Sequence, residues 1–343
     1  MRPIRVLVVE DSLVFRELLV QNLNKDPAIE VVAVAKDPFE ARDAILKYRP
    51  DVMTLDVELP RMNGIEFLRK LMPQYPIPVV VISALSDKVF EALNAGAVDF
   101  VAKPVSTGRA QIEDFMHNEL SEKVKIASNV KTSNIKKTAM LQTAQQPTQL
   151  KDNNLIVAIG ASTGGTEAIF SVVKDFGQDI PGVVIVQHMP PGFTEMYAKR
   201  LDSQCRVKVK EACTGDRVMR GQVLIAPGGD RHMRLVKVNG VYQVECRQGP
   251  KVNGHCPSVD ELFYSVANAA GPHALGIILT GMGGDGAKGL LAMKKAGAQT
   301  IGQDESTCVV YGMPKVAYDI GAVKYQVRLD EIAKKTYTVL SKM

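Results

Sequence analysis

Gly160-Ala161-Ser162-Thr163-Gly164-Gly165 sets a hydroxyl among glycines, directly after an apolar run and directly before a helical pattern at 166–170. Two chemistries suit that arrangement. A glycine-rich turn at a helix N-terminus can hold a phosphate on its backbone N–H groups. The same turn can present a serine nucleophile beside an oxyanion hole, and the segment matches G-x-S-x-G. Its glycine spacing is not that of the dinucleotide fingerprint, and it lacks the lysine of a P-loop. On this motif alone the two readings stand level.

Two further residues tip the balance. His188 closes the apolar run 183–187, and Asp285 lies in Thr280-Gly281-Met282-Gly283-Gly284-Asp285-Gly286, just past another run at 275–279. Serine, histidine and aspartate at neighbouring strand ends would act as nucleophile, general base and orienting carboxylate. Each has a plainer reading, His188 as a structural histidine and Asp285 as a turn or helix cap. Asp304 is a rival third member, and His232 and His255 sit in loop-like segments where they could line a cleft. The chain order Ser–His–Asp differs from the Ser–Asp–His order of α/β-hydrolases, which counts against that fold and not against the mechanism.

A second set lies upstream. Glu10 and Asp11 follow the first apolar run, Asp56 ends the third, Ser83 the fourth and Lys103 the fifth. Carboxylates gathered this way repel one another unless a cation neutralises them. Mg²⁺ takes oxygen ligands and keeps positions for phosphate oxygens. Glu10, Asp11, Asp56 and Glu58 are the candidate metal-ligating residues. Asp56 is the candidate carboxylate nucleophile toward a phosphoryl group, with Lys103 and Ser83 contacting that group. Any one of these acids could be only a cap; five groups at strand ends in this order make that reading poor.

The elements that must position both sets follow from pattern. Residues 4 to about 120 alternate strand-sized apolar runs with amphipathic helical stretches, as a doubly wound parallel sheet requires. A second alternation starts at Leu155. Within it Asn239-Gly240, between 235–238 and 241–244, signals an antiparallel hairpin. Between the two, 121–154 is lysine- and glutamine-rich and poor in large apolar residues, and reads as a linker with a helical start. The expected organisation is thus 1–120, linker 121–154, and 155–343. Of the 343 residues, 46% are hydrophobic and 23% charged, enough apolar material for two cores. No run is long enough to span a bilayer, and no signal-peptide pattern leads the chain. Five cysteines without C-x-x-C spacing read as reduced thiols of a cytoplasmic protein. A net charge of +5 against 37 acidic residues gives no case for nucleic acid.

Val9-Glu10-Asp11-Ser12, the segment 54–64 around Asp56, and Ala102-Lys103-Pro104 closely resemble the response-regulator receiver family. That resemblance implies a flavodoxin-like (βα)5 fold, a histidine kinase as phosphoryl donor, and Phe100 as an aromatic that reorients on activation. Many such receivers attached to this kind of output domain have Asp where Glu10 stands. The blocks 160–165, 187–190, 226–232, 253–263 and 279–286 resemble the catalytic domain of the chemotaxis receptor protein-glutamate methylesterases, with Cys256 at a position usually basic. This implies hydrolysis of glutamate methyl esters on chemoreceptor cytoplasmic helices, with glutamine deamidation alongside, controlled by phosphorylation of Asp56. Backbone N–H groups near Thr163 and Met282 are then the candidate oxyanion donors. The rival readings are a phosphate- or nucleotide-binding output domain and a receptor-docking adaptor without catalysis.

Overall fold

The computed structural model describes residues 2–84, 88–104, 115–130 and 154–343, without the side chains of 117 and 118. Most of the expected linker, 131–153, and residues 105–114 lie outside the described residues. The chain forms two compact units, 1–137 and 138–343.

The first unit carries β1 (Ile4–Val9), α1 (Leu13–Leu23), β2 (Ile29–Ala35), α2 (Pro38–Tyr48), β3 (Val52–Asp56), α3 (Gly64–Leu71), β4 (Val79–Ser83), α4 (Lys88–Asn94) and β5 (Asp99–Ala102). The sheet order is β2-β1-β3-β4-β5, all parallel. The central strands β3 and β4 are buried throughout, as strands covered by helices on both faces must be. Order reverses between β1 and β3, so the crevice at their carboxyl ends is where a ligand belongs. Glu10 and Asp56 border it.

The region expected to begin the linker folds back instead. A π-helical stretch, Phe115–Leu120, leads into α5 (Ser121–Ser128), and Met116, Leu120, Val124 and Ala127 are buried. Lys123 Nζ reaches Asp99 Oδ1 at 2.7 Å and the Phe100 carbonyl at 2.6 Å. Lys123, one of the lysines that made this segment look like a solvated tether, thus has its partners on the first sheet, and Lys125 Nζ pairs with Asp26 at 2.6 Å, so 121–128 belongs to the first unit.

The second unit contains β6 (Ile156–Ala161), α6 (Gly165–Val173), β7 (Gly182–Gln187), α7 (Phe193–Gln204), β8 (Lys208–Glu211), β9 (Gln222–Ile225), β10 (Arg231–Val238) and β11 (Val241–Gln248). These lead on to α8 (Val259–Ala269), β12 (Ala274–Ile278), α9 (Ala287–Lys295), β13 (Gln299–Gln303), α10 (Met313–Asp319), β14 (Tyr325–Val327) and α11 (Leu329–Leu340). Seven parallel strands run in the order β14-β13-β12-β6-β7-β9-β8. The hairpin β10-β11 turns at Asn239-Gly240 with φ of 50° and 82°. It stands as a separate two-stranded sheet and does not extend the main one. Its inner face, with Met233, Leu235, Tyr242 and Val244, joins the core under α8. Among the described residues no helix is long and apolar enough to cross a membrane.

Candidate active site

The order of the large sheet reverses at β6. On one side of β6 the sheet runs out through β7, β9 and β8, and the chain later returns to lay β12, β13 and β14 on the other side. Ser162 follows β6, His188 follows β7, and the turn holding Asp285 follows β12, so three separate stretches meet at one switch point. Ala161 pairs with Gln187 in register, and the His188 N–H donates to Ala161 O at 3.2 Å. Ser162 and His188 are therefore the next residues along on adjacent strands. On the other flank, the Ser162 N–H donates to Thr280 O at 3.0 Å.

Glycine makes these approaches possible. A Cβ at Gly281 would lie 2.7 Å from Ser162 Cβ, so only glycine lets the turn after β12 close over the serine. Gly164 has φ +74° and a Cβ there would meet Val309 at 2.6 Å, so the sharp turn after Ser162 is available to glycine and little else. The residue after Gly281 is Met282, which brings its peptide beside Ser162.

His188 and Asp285 are in contact: Nε2 lies 2.9 Å from Asp285 Oδ2. Asp285 is buried and heavily bonded. Its Oδ1 accepts from Asn253 Nδ2 at 2.9 Å, Ser258 Oγ at 2.8 Å and the Asp260 N–H at 3.2 Å; Oδ2 also accepts from the Val259 N–H at 2.7 Å. Burial alone would push this carboxyl up. The hydrogen bond and charge of His188, with Asn253 and Ser258, outweigh it and hold the group well below the usual carboxylate range. Nδ1 of His188 is buried and, among the described residues, has no hydrogen-bond partner. It makes no bond to Ser162 Oγ in this resting geometry.

Asp304 does not compete for the histidine. It caps the short helical turn Glu305–Thr307, where its Oδ1 accepts from the Thr307 N–H at 3.1 Å. His232 is buried as a strut, with Nδ1 accepting from the Ser258 N–H at 3.1 Å and Nε2 donating to Pro250 O at 2.9 Å. His255 stacks on His188, ring centroids 3.8 Å apart. Asn253, Ser258 and Gln187 were given no role by sequence reasoning. Gln187 Nε2 donates to Ser162 O at 2.9 Å and thereby holds the serine's peptide. The signal for Gln187 was its place beside His188 at the strand end; for Asn253 and Ser258, whose partner lies far along the chain, there was none.

In the first unit Lys103 Nζ lies 2.5 Å from Asp56 Oδ2 and 3.0 Å from Glu10 Oε2. Glu10, Asp11 and Asp56 each offer an oxygen within 4.8 Å of the others. Burial, then the charge of Asp56, pushes Glu10 up to about 7 against the pull of Lys103. Three carboxylates against one ammonium leave net negative charge at this sheet edge, which a divalent cation would neutralise. These residues fit Mg²⁺. The Glu58 carboxylate does not join them: its side chain is exposed and lies 3.9 Å from Lys88 Nζ, while only its N–H, donating to Asp56 Oδ1 at 3.1 Å, touches the site. β3 ends at Asp56, so Glu58 lies beyond the strand and its direction is not set by the sheet. Ser83 and Phe100 are both buried, on the adjacent strands β4 and β5.

The family model for the CheB methylesterase matches residues 157–336, and that for the response regulator receiver domain matches residues 6–112. A protein-glutamate methylesterase/protein-glutamine glutaminase 2 of Syntrophomonas wolfei is 59% identical over 344 residues, covering 100% of this chain and 99% of the relative. The protein-glutamate methylesterase/protein-glutamine glutaminase of Salmonella typhimurium is 47% identical and covers 99% of this chain and 98% of the relative. Among solved structures, the Thermotoga maritima CheB methylesterase catalytic domain aligns with a TM-score of 0.53 at 39% identity, over 54% of this chain and 98% of that one.

Proposed function

This chain belongs to the CheB methylesterase family, with a response regulator receiver domain ahead of the catalytic domain, and from that premise we propose that it demethylates protein glutamate methyl esters by serine catalysis under receiver control. The observation that carries the mechanism is the His188–Asp285 pair beside Ser162, with one imidazole nitrogen bonded and the other buried and open.

Because Asp285 takes Nε2, the nitrogen left to act as base is Nδ1. Ser162 Oγ attacks the ester carbonyl as Nδ1 accepts its proton. The imidazolium that forms is held against a carboxylate kept ionised by its other donors. Nδ1 then returns the proton to the departing methoxide oxygen, and methanol leaves. Water attacks the acyl-serine with Nδ1 again as base, and Ser162 is regenerated with a glutamate side chain as product. An amide leaving as ammonia follows the same path, which gives glutamine deamidation. The N–H groups of Thr163 and Met282 are the oxyanion donors we assign, and such a donor is worth about 10²–10³ in rate.

The phosphate-binding alternative fits the turn less well. Gly165 donates its N–H to Ser162 O at 2.6 Å and Ser162 its N–H to Thr280 O, so two amides that would cradle a phosphate are already bonded within the fold.

In the receiver, Glu10, Asp11 and Asp56 would hold Mg²⁺, which when bound neutralises phosphoryl oxygens. Asp56 is the proposed phosphoacceptor, Lys103 pairs with the acyl phosphate, and Ser83 and Phe100 report its presence to the surface. A histidine kinase as donor, chemoreceptors as substrate and a cytoplasmic setting complete the reading, drawn from the family. Methanol release from methylated receptor membranes tests it. Parent protein should release methanol and Ser162→Ala should not; equal release by both would end the hydrolase reading.

A further inference from the structure

We infer that His255, outside the Ser162–His188–Asp285 set, is a positioning residue that fixes the plane of the catalytic imidazole by stacking flat against it. The inference rests on the hydrolase reading and adds a member to its machinery.

A base that must serve first the serine and then water needs its ring held in plane as well as in place. The single hydrogen bond from His188 Nε2 to Asp285 anchors one edge. Nδ1 has no partner among the described residues, so no second hydrogen bond stops the ring from turning about that anchor. What meets the ring face is His255. The two rings are 3.8 Å apart at their centroids and inclined by only 14°, which is contact across the whole face. Turning His188 would break that contact along one side of the stack.

His255 is itself firmly placed. Its N–H donates to Val252 O at 3.0 Å, and its carbonyl accepts from the Val252 N–H at 2.9 Å. The two residues between, Asn253 and Gly254, have φ of 52° and 85°, the left-handed pair of a tight two-residue turn. Asn253 then donates through Nδ2 to both Asp285 Oδ1 and Asp260 Oδ2, at 2.9 and 2.8 Å. One turn thus grips the carboxylate with Asn253 and the imidazole face with His255. It fixes the two partners of a proton relay relative to each other, which two independent loops would not do.

Misplacing a catalytic group by about 1 Å costs on the order of 100-fold in rate. His255→Ala should therefore lower kcat for methanol release about 10- to 100-fold while KM stays within about twofold. His255→Phe, which keeps a flat ring and has no titratable nitrogen, should recover most of the loss. In parallel, ¹⁵N spectra of the His188 ring should show one tautomer, protonated at Nε2, in the parent and in His255→Phe, and an averaged signal in His255→Ala. The ring spectra need no substrate, so they test the positioning role even if Ser162→Ala were to leave methanol release intact and remove the hydrolase reading. An unchanged kcat in His255→Ala would overturn the inference. So would a loss confined to KM, or a Phe variant no better than Ala with an unaltered thermal midpoint and ring spectrum.

Discussion

Asp285 gathers more of the site's hydrogen bonds than any other side chain described there, which makes it the residue whose replacement is most informative. Asparagine has nearly the same shape but turns one acceptor oxygen into a donor among N–H and O–H donors from Asn253, Ser258, Val259 and Asp260. It also cannot hold His188 in the Nε2–H tautomer, so Nδ1 is no longer reliably the free base. Asp285→Asn should lower kcat by about 10⁴-fold in a methanol-release assay with little change in KM. Ser258→Ala removes one donor of several and should cost only about tenfold, since the remaining bonds keep the carboxylate ionised. The depressed ionisation of Asp285 also has a stability consequence. Its folded form holds protons less readily than the unfolded chain, where the ordinary value is 3.8, so its contribution is complete above that pH and is lost as pH falls through the lower folded value. Acid titration of unfolding free energy should show a constant gap between parent and Asp285→Asn above about pH 5 that narrows as pH falls below about 4. The three residues proposed as the triad stand out in the sequence because each lies at or a few residues past the end of an apolar run. Asn253 and Ser258 were not legible there, because their partner Asp285 stands far along the chain, and His255 was legible only as a residue that could line a cleft.

Between residue and domain, the element that most directly shapes the site is the start of α8. Val259 wedges its side chain between the end of β6 and the turn after β12. A Cβ at Gly160 would lie 2.1 Å from Val259 Cγ1, and one at Gly286, where φ is +86°, would lie 2.4 Å from the same atom. The first glycine of G-x-S-x-G is therefore there to admit a helix, and the helix in turn presents the Ser258, Val259 and Asp260 donors to Asp285. Gly160→Ala should destabilise the catalytic unit by about 1–3 kcal/mol through overpacking. Combined with Val259→Ala it should recover part of that, with a coupling of about 0.5–3 kcal/mol in a urea-unfolding double-mutant cycle on the full-length chain. Additive losses would show that the two side chains do not share the space. Elements themselves were largely readable: parallel strands from continuous apolar runs, and the hairpin from Asn239-Gly240. Strand order was not, because the return from β9 to β12 across the sheet depends on which faces the helices cover. The stretch 121–128, read as the helical start of a linker, packs on the first unit instead. Composition made its lysines look solvated, whereas Lys123 and Lys125 are paired with Asp99 and Asp26 on the first unit.

At the scale of the whole molecule, the two units carry chemistries with opposite requirements for a cation. The first gathers Glu10, Asp11 and Asp56 with Lys103 as the one ammonium among them, so negative charge is left over for a cation. The second has two buried carboxylates side by side, Asp285 and Asp260, and protein donors take up both oxygens of each. Divalent-cation removal should therefore separate control from catalysis in the intact chain. With a small-molecule phosphodonor and Mg²⁺, methanol release should rise above its basal rate in the parent and stay at the basal rate in Asp56→Asn. Chelation with EDTA should bring the parent down to the Asp56→Asn level, and it should leave the basal rate of both proteins unchanged. A fall in basal release on chelation would mean that the hydrolase unit itself depends on a cation, which the saturated carboxylate of Asp285 argues against. Stimulation surviving in Asp56→Asn would mean that another group takes the phosphoryl, and the convergence of Glu10, Asp11 and Lys103 on Asp56 would then need a different explanation.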